Sequence, residues 1–302
     1  MPTTSRPDPN EPPAPGKPAS GDSLLPGLYI VATPIGNARD ITLRALDVLH
    51  GADVIACEDT RVTSKLMSIH GISTPLMSYH DHNARRVLPG LIERLKNGER
   101  VAQVSDAGTP LIADPGYRLV NACRDADIPV TALPGASSVT MALAVAGIAT
   151  DRFTFVGFVP TKSGERGTWF SNILAIGGTV VAFESAKRLP ASLQALAKTS
   201  PDRELAVCRE LTKRFEEVRR GTAADLAAHY AGAGPPKGEI VLVIGPASAA
   251  DKEVDDVAID AALSDALKQF SVRDAAQAVA ESLGTPRKRV YARALLLPKL
   301  DS

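Results

Sequence analysis

Residues 101–116 read VAQVSDAGTPLIADPG, and the reading of this stretch decides the fold. It begins as an apolar strand with the β-branched Val101 and Val104, then breaks at Ser105-Asp106. Two turns follow, Ala107-Gly108-Thr109-Pro110 and Asp114-Pro115-Gly116, before a helical pattern starts near Tyr117. A strand ending in small residues, Gly and Pro leaves backbone N–H and C=O groups open at its carboxyl end. In open α/β sheets that is where ligands bind. Gly108 permits close backbone approach or a positive φ, and Pro110 and Pro115 stiffen the turns. The alternative is an ordinary strand–turn–helix link. Two Gly-Pro turns in so short a span, with Asp106 and Asp114 beside them, favour a ligand loop.

Working outward, residues 28–32 (LYIVA) and 53–57 (DVIAC) form further short apolar strands. They run into Thr33-Pro34-Ile35-Gly36-Asn37 and Glu58-Asp59-Thr60-Arg61. Residues 77–80 form a third strand and residues 128–133 (IPVTAL) a fifth, which ends at Pro134-Gly135-Ala136-Ser137-Ser138. Helical periods lie between them, through Leu43, Leu46 and Leu49, up to His70-Gly71, and over 88–97. This alternation predicts a mostly parallel sheet with helices on both faces, and strands apolar along nearly their whole length fit that burial. Four strand ends rich in small or acidic residues predict one ligand-binding rim.

After a helix at 139–146 the pattern loosens. Strands are expected at 153–159, 179–185, 204–211 and 239–244, with helices at 189–197 and 223–231, as in a second α/β domain with a mixed sheet. The polar stretch 161–168 (TKSGERGT) reads as a mobile loop whose Lys162 and Arg166 either meet phosphate, as RNA-binding groups, or are solvated. Residues 247–257 are a small acidic connector. Helices at 261–267 and 272–283, then a basic helix opened by Thr285-Pro286, resemble a helix-turn-helix. Arg287, Lys288 and Arg289 are its candidate RNA contacts, a solvated helical cap being the alternative. The domains expected are a disordered Pro-rich tail at 1–26, an N-terminal α/β domain at 27–136, a second α/β domain at 137–246, and a connector with a C-terminal helical subdomain at 247–302.

The 302 residues carry 34 Lys+Arg against 34 Asp+Glu, so any nucleic-acid surface has to be a local patch. Cys57, Cys123 and Cys208 are odd in number, far apart and set in apolar runs, which suits core packing in a reducing compartment. No apolar run approaches the roughly 20 residues needed to cross a bilayer, and the start of the chain lacks a secretory pattern. A cytoplasmic protein without membrane contact is expected. There is no P-loop lysine motif, GxSxG elbow or CxxC pair, and the first strand lacks GxGxxG. His80 and His82 have no third ligand at a suitable spacing, so no metal is expected.

The segments TPIGN (33–37), CEDTR (57–61), SDAGTPLIADPG (105–116) and LPGASS (133–138) resemble the tetrapyrrole methylase superfamily. FES (183–185), RELTKRFEE (209–217) and KGEIVLVIGP (237–246) narrow the resemblance to its bacterial members that methylate a cytidine 2′-oxygen in small-subunit ribosomal RNA. The likeness covers the chain from about Gly27 onward. It implies S-adenosyl-L-methionine in a cleft between two α/β domains, a homodimer, and 16S rRNA, within the assembled 30S subunit, as substrate. The cofactor residues it implies are Pro34 and Gly36 in the first loop, and Asp106, Ala107, Gly108 and Pro110 in the second. Ser137, Ser138, Phe183, Glu184, Gly238 and Glu239 complete them. Pro34 and Asn37 stand where precorrin methylases carry glycine and acid, which argues against a tetrapyrrole substrate. Ala186-Lys187 replaces the usual Pro-His after Ser185.

A ribose 2′-hydroxyl is a weak acid and needs a proton acceptor as it attacks. Asp59, Arg61, Glu210 and Lys213 lie at strand ends and are the candidates for substrate positioning or proton transfer. A salt-bridge network closing the domain interface is the other reading of the same groups. Two further functions stay open, a precorrin-type C-methyltransferase and a cofactor-sensing nucleic-acid-binding regulator.

Overall fold

The computed structural model describes residues 24–246, 256–283 and 285–297. Apart from residues 24–26, the expected tail lies outside the described residues, as do 247–255 of the connector and Gly284 in the turn. The first sheet contains β1 (Gly27–Ile30), β2 (Val54–Cys57), β3 (Leu76–Ser78), β4 (Arg100–Gln103) and β5 (Val130–Ala132), all parallel, in the order β3-β2-β4-β1-β5. Residues alternate between its two faces. Tyr29, Val31, Ile55, Cys57, Ala102 and Val104 pack with α1 (Leu43–Gly51) and α2 (Thr60–Ile69). Leu28, Ile30, Val54, Ala56 and Val101 pack with α3 (Ala84–Lys96) and α4 (Tyr117–Asp125). Coverage on both faces is why β1 and β2 are apolar throughout and β4 is apolar at its centre.

The second sheet contains β6 (Phe153–Phe158), β7 (Thr179–Ser185), β8 (Glu204–Arg209), β9 (Glu217–Thr222) and β10 (Glu239–Ile244), in the order β6-β7-β10-β8-β9. Only β6 and β7 pair in parallel, so the sheet is mixed, as expected. Helices α6 (Ser163–Leu174), α7 (Leu189–Thr199) and α8 (Ala223–Ala233) cover one face around Phe170, Leu193 and Leu226. The other face takes α5 (Ser138–Ala146) through Val139, Ala142 and Leu143. Ile35, from the loop after β1, is buried in that same cluster and joins the two sheets. Helices α9 (Asp256–Ala266), α10 (Val272–Leu283) and α11 (Arg287–Ala294) enclose a separate small core.

Two elements differ from expectation. The stretch read as a mobile loop at 161–168 is largely the start of α6, because Phe170 and Ile173, one helical turn apart, bury against β7 and β10. The edge strand β9 (EVRRGT) was not anticipated. A partly exposed edge carries no apolar run to announce it. The three cysteines are free and buried, and burial pushes the thiols of Cys123 and Cys208 up to about 11.

Candidate active site

The connections leaving β2 and β4 run in opposite directions across the first sheet, and these two strands are neighbours. Their carboxyl ends therefore open a crevice at a topological switch point. A cleft of about 700 Å³ lies there, lined by Glu58, Asp59, Thr60 and Arg61 after β2 and by Asp106, Ala113, Asp114 and Pro115 after β4. Ser78, His80, Asp81 and His82 close its far side.

The carboxylates in this cleft sit in unequal environments. Asp59 caps α2 by accepting from the Arg61 amide at 2.8 Å and grips the Arg61 guanidinium at 2.6 Å. That hydrogen bonding holds its carboxyl down at about 2. The Asp59 amide donates to Asp106 Oδ1 at 3.1 Å, tying the β2 loop to the β4 loop. Burial pushes the Glu58 carboxyl up, and Asp106 and Asp114 add to the shift. Asp114 is likewise raised by burial and then by the nearby Asp106 charge, against a hydrogen bond with Ser105. The His80 and His82 rings lie 6.0 Å apart, edge to face.

A second, narrower cavity lies between the sheets. Its walls are Ala107, Gly108, Thr109, Ile112, Ala113 and Asp114 from the β4 loop, Ser137, Ser138 and Val139 from the start of α5, and Phe158 and Phe183 from the second sheet. The β4 loop is held to its neighbours from both sides. Thr33 and Gly108 exchange backbone hydrogen bonds of 2.9 Å in each direction, and Thr109 Oγ1 donates to the Ala136 carbonyl at 3.1 Å. Gly108 has φ 80°, a conformation that favours glycine, and a Cβ there would sit 3.4 Å from Ile35 Cγ2. Phe158 and Phe183 meet edge to face at 5.3 Å.

The sequence candidates separate into three groups. Ala107, Gly108, Ser137, Ser138 and Phe183 converge on the narrow cavity, while Asp59, Arg61 and Asp106 line the wide cleft. Glu210 and Lys213 belong to a different cluster, at the joint between the sheets. Lys213 Nζ reaches Glu210 at 2.9 Å and Glu239 at 3.0 Å, and the Lys213 stem packs against Gly36. The Asn37 amide donates to Thr212 Oγ1 at 3.2 Å, so this loop clasps the one after β1. Both residues are charged: the Lys213 hydrogen bond holds Glu210 low, and Lys213 is raised by its two acidic partners despite the opposing effect of burial. Neither Glu210 nor Lys213 lines the wide cleft with Asp59 and Arg61, and no hydrogen bond or ion pair between described residues joins the two pairs. Glu210 and Lys213 instead form the interface network that was the other reading. Pro34 is buried behind the first loop, and Gly238 lies against the Glu210 side chain.

Glu184 departs from its expected role. Its carboxylate is buried within the second sheet's helical layer, where it accepts from the Ser185 amide at 2.6 Å and from the Ser192 hydroxyl, and pairs with Arg188 at 2.8 Å. It is absent from the walls of both cavities. Arg166 departs too. It is 7% exposed and donates to the Pro160 and Thr161 carbonyls, holding the start of α6 instead of facing a phosphate. Lys162 is exposed and paired with Glu165 at 3.0 Å. Among the α11 cations, Arg289 pairs with Asp256 at 2.8 Å, whereas Arg287 and Lys288 are exposed and make no ion pair with a described residue. Asp114 was read only as part of the loop, and lining residues not singled out include Thr109, Ile112, Ala113, Val139 and Phe158 of the narrow cavity and Ser78 and Asp81 of the wide cleft. The Asp114-Pro115-Gly116 turn was the available signal for the loop; Phe158, in an ordinary strand pattern, gave none.

The family profile described as Tetrapyrrole (Corrin/Porphyrin) Methylases matches residues 27–227, and the one described as RsmI C-terminal HTH domain matches residues 253–298. The chain belongs to the tetrapyrrole methylase family and is a methyltransferase. It is 46% identical over 275 residues to the Ribosomal RNA small subunit methyltransferase I of Mesorhizobium japonicum, covering 91% of this chain and 93% of the relative. To the protein of the same name in Erythrobacter litoralis it is 47% identical over 278 residues, covering 92% and 98%. Among solved structures it shares the fold of a diphthine synthase, with TM-score 0.56 and 16% identity over 72% of this chain and 89% of that one. It also shares the fold of a cobalt precorrin-4 methyltransferase, with TM-score 0.54 and 19% identity over 72% and 94%.

Proposed function

We propose that the chain transfers the methyl group of S-adenosyl-L-methionine to the ribose 2′-oxygen of a cytidine in the decoding centre of 16S rRNA. The observation that carries this reading is the adjacency of the two cavities, one narrow and partly aromatic, one wide and polar, across the β4 loop. The donor side fits the residues of the narrow cavity. Phe158 and Phe183 offer aromatic faces to a sulfonium, and Ser137 and Ser138 stand at the start of α5, where amide N–H groups suit a carboxylate. The cavity encloses about 80 Å³, well below the few hundred of a usual ligand pocket, so a nucleoside must extend along the rim where Phe158 is exposed. Bound there, S-adenosyl-L-methionine supplies an electrophilic methyl group. The protein's part is alignment, exclusion of water and acceptance of a proton.

The wide cleft takes the nucleotide. The relatives named as small-subunit rRNA methyltransferases and the helix-turn-helix match support an RNA substrate over a porphyrinoid or a purely regulatory role. Arg287 and Lys288 contact RNA backbone, and an assembled 30S subunit presents the target by shape. The acting form is a cytoplasmic homodimer, testable by sedimentation. Among the described residues no helix is long and apolar enough to cross a membrane.

The direct experiment incubates the protein with methyl-labelled S-adenosyl-L-methionine and 30S subunits from cells lacking this gene, with free rRNA alongside, and digests the product to nucleosides. Label recovered as 2′-O-methylcytidine supports the reading. Cofactor binding with no label in RNA sinks it.

A further inference from the structure

Methyl transfer to a hydroxyl constrains where its base can stand. The attacking oxygen must touch the methyl carbon, so the group that takes its proton has to reach the boundary between the donor and acceptor cavities. Among the described residues only Ala113 and Asp114 line both cavities, and of these two Asp114 carries the group that accepts a proton. We propose that Asp114 is the catalytic proton acceptor, its carboxylate meeting the nucleotide 2′-hydroxyl where the two cavities share a wall. The assignment rests on the RNA 2′-O-methyltransferase reading given above.

The local backbone is built to hold that side chain. Leu111 and Ala113 have φ 73° and 63°, left-handed values that L-residues rarely adopt and that persist where surrounding structure enforces them. The buried Gln103 side chain supplies enforcement by donating to the Pro115 carbonyl at 3.1 Å. Gly116, with φ 137°, leaves no room for a Cβ beside that Gln103 amide. With Thr109 Oγ1 held on the Ala136 carbonyl, the loop is pinned before and after Asp114.

The other acids of the wide cleft fit the task less well. Asp59, held at about 2 by Arg61, is too weak a base and lines only the wide cleft. Asp106 accepts from the Asp59 amide and lines only the wide cleft. Glu58 is raised by burial but also lies only on the wide side, as do Asp81 and the imidazoles of His80 and His82. Asp114 combines the boundary position with a carboxyl raised by burial, which makes it a stronger proton acceptor than an ordinary aspartate once ionised.

In the step, the O–H bond of the 2′-hydroxyl breaks and its proton passes to a carboxylate oxygen of Asp114. The oxygen bonds to the methyl carbon as the carbon–sulfur bond breaks, its electron pair remaining on sulfur as a neutral thioether. Asp114 then returns its proton to water through the wide cleft.

The test compares wild type, Asp114→Asn and Asp114→Glu in single-turnover methyl transfer to 30S subunits across pH, with both substrates saturating. Calorimetric binding of S-adenosylhomocysteine and thermal melting across pH accompany it. Asp114→Asn is expected to transfer at least about 100-fold more slowly and to lose the acid limb of the pH profile. Cofactor-product binding should stay within about threefold, and Asp114→Glu should recover part of the rate and the limb. Melting reads the same group without turnover. A carboxyl raised by folding stabilises the native state at low pH, and that contribution is lost as pH rises through its native value. Asp114→Asn should therefore melt higher than wild type at neutral pH, with the difference vanishing in acid. An Asn variant that transfers within a few-fold of wild type and keeps the acid limb overturns the assignment. So does a loss explained by weakened cofactor binding. Wild type that labels no cytidine overturns the substrate reading itself, and this role with it.

Discussion

At the scale of single residues, charge and burial decide which acids are chemical and which structural. Glu184 sits in a recognisable cofactor-loop motif, yet it holds Arg188, Ser192 and the Ser185 amide inside a packed layer. Truncating it leaves a cation and donors without their acceptor, a loss of roughly 2–3 kcal/mol for a hydrogen-bonded charge. Glu184→Ala is expected to lower the denaturant midpoint accordingly, with S-adenosylhomocysteine affinity unchanged for the folded fraction. A variant of native stability that had lost cofactor affinity would return Glu184 to the binding site. Asp59 and Arg61 illustrate the converse, the acid half-buried, the arginine exposed, and the two mutually engaged at the lip of the cleft.

Single elements carry their own tests. Helix α8 starts with a capping box: Thr222 Oγ1 accepts from the Asp225 amide at 3.1 Å while the Asp225 carboxylate accepts from the Thr222 amide at 3.3 Å. Since Thr222 also ends the edge strand β9, Thr222→Ala should cost about 1 kcal/mol in equilibrium unfolding. The basic helix α11 divides by function. Arg289 and Arg293 pair with Asp256 and Asp260 and clamp α11 to α9, so they serve the small core first. Arg287 and Lys288 face solvent. Reversing both to Glu is expected to weaken 30S binding and flatten its salt dependence by about one unit of slope per cation. Cofactor binding should not change. A salt slope equal to that of wild type would remove these two residues from the interface.

For the whole molecule, the joint between the sheets controls the site. Ile35 leaves the first sheet and is buried among Val139, Val181 and Val241 of the cluster over the second, directly against Gly108. Ile35→Ala should destabilise by about 2–5 kcal/mol through the cavity it leaves. It should also weaken cofactor binding, because the wall that positions Gly108 recedes. Calorimetry under conditions where the variant remains folded checks the second effect, and unchanged affinity would mean that the joint is structural only. The Glu210–Lys213–Glu239 network reinforces the same joint from the exposed side.

The sequence alone determined the parallel first sheet, the mixed second sheet and the loops that line the two cavities. Strand burial on both faces writes itself as apolar runs, and tight turns demand Gly and Pro at particular positions, so SDAGTPLIADPG was legible as a loop at the carboxyl end of a buried strand. Edge strand β9 and the opening of α6 were not, since a half-exposed strand and a polar first helical turn look like loop until a packing partner is known. The site residues divide the same way. Ala107, Gly108, Ser137, Ser138 and Phe183, which border the narrow cavity, were named from the family resemblance. That Asp114 lies between two cavities, that Glu210 and Lys213 close a joint away from Asp59, and that Glu184 and Arg166 are internal anchors are facts of distance across the chain. Only the tertiary structure decided them, because a side chain's partners, and hence its charge state and role, come from segments far away in sequence.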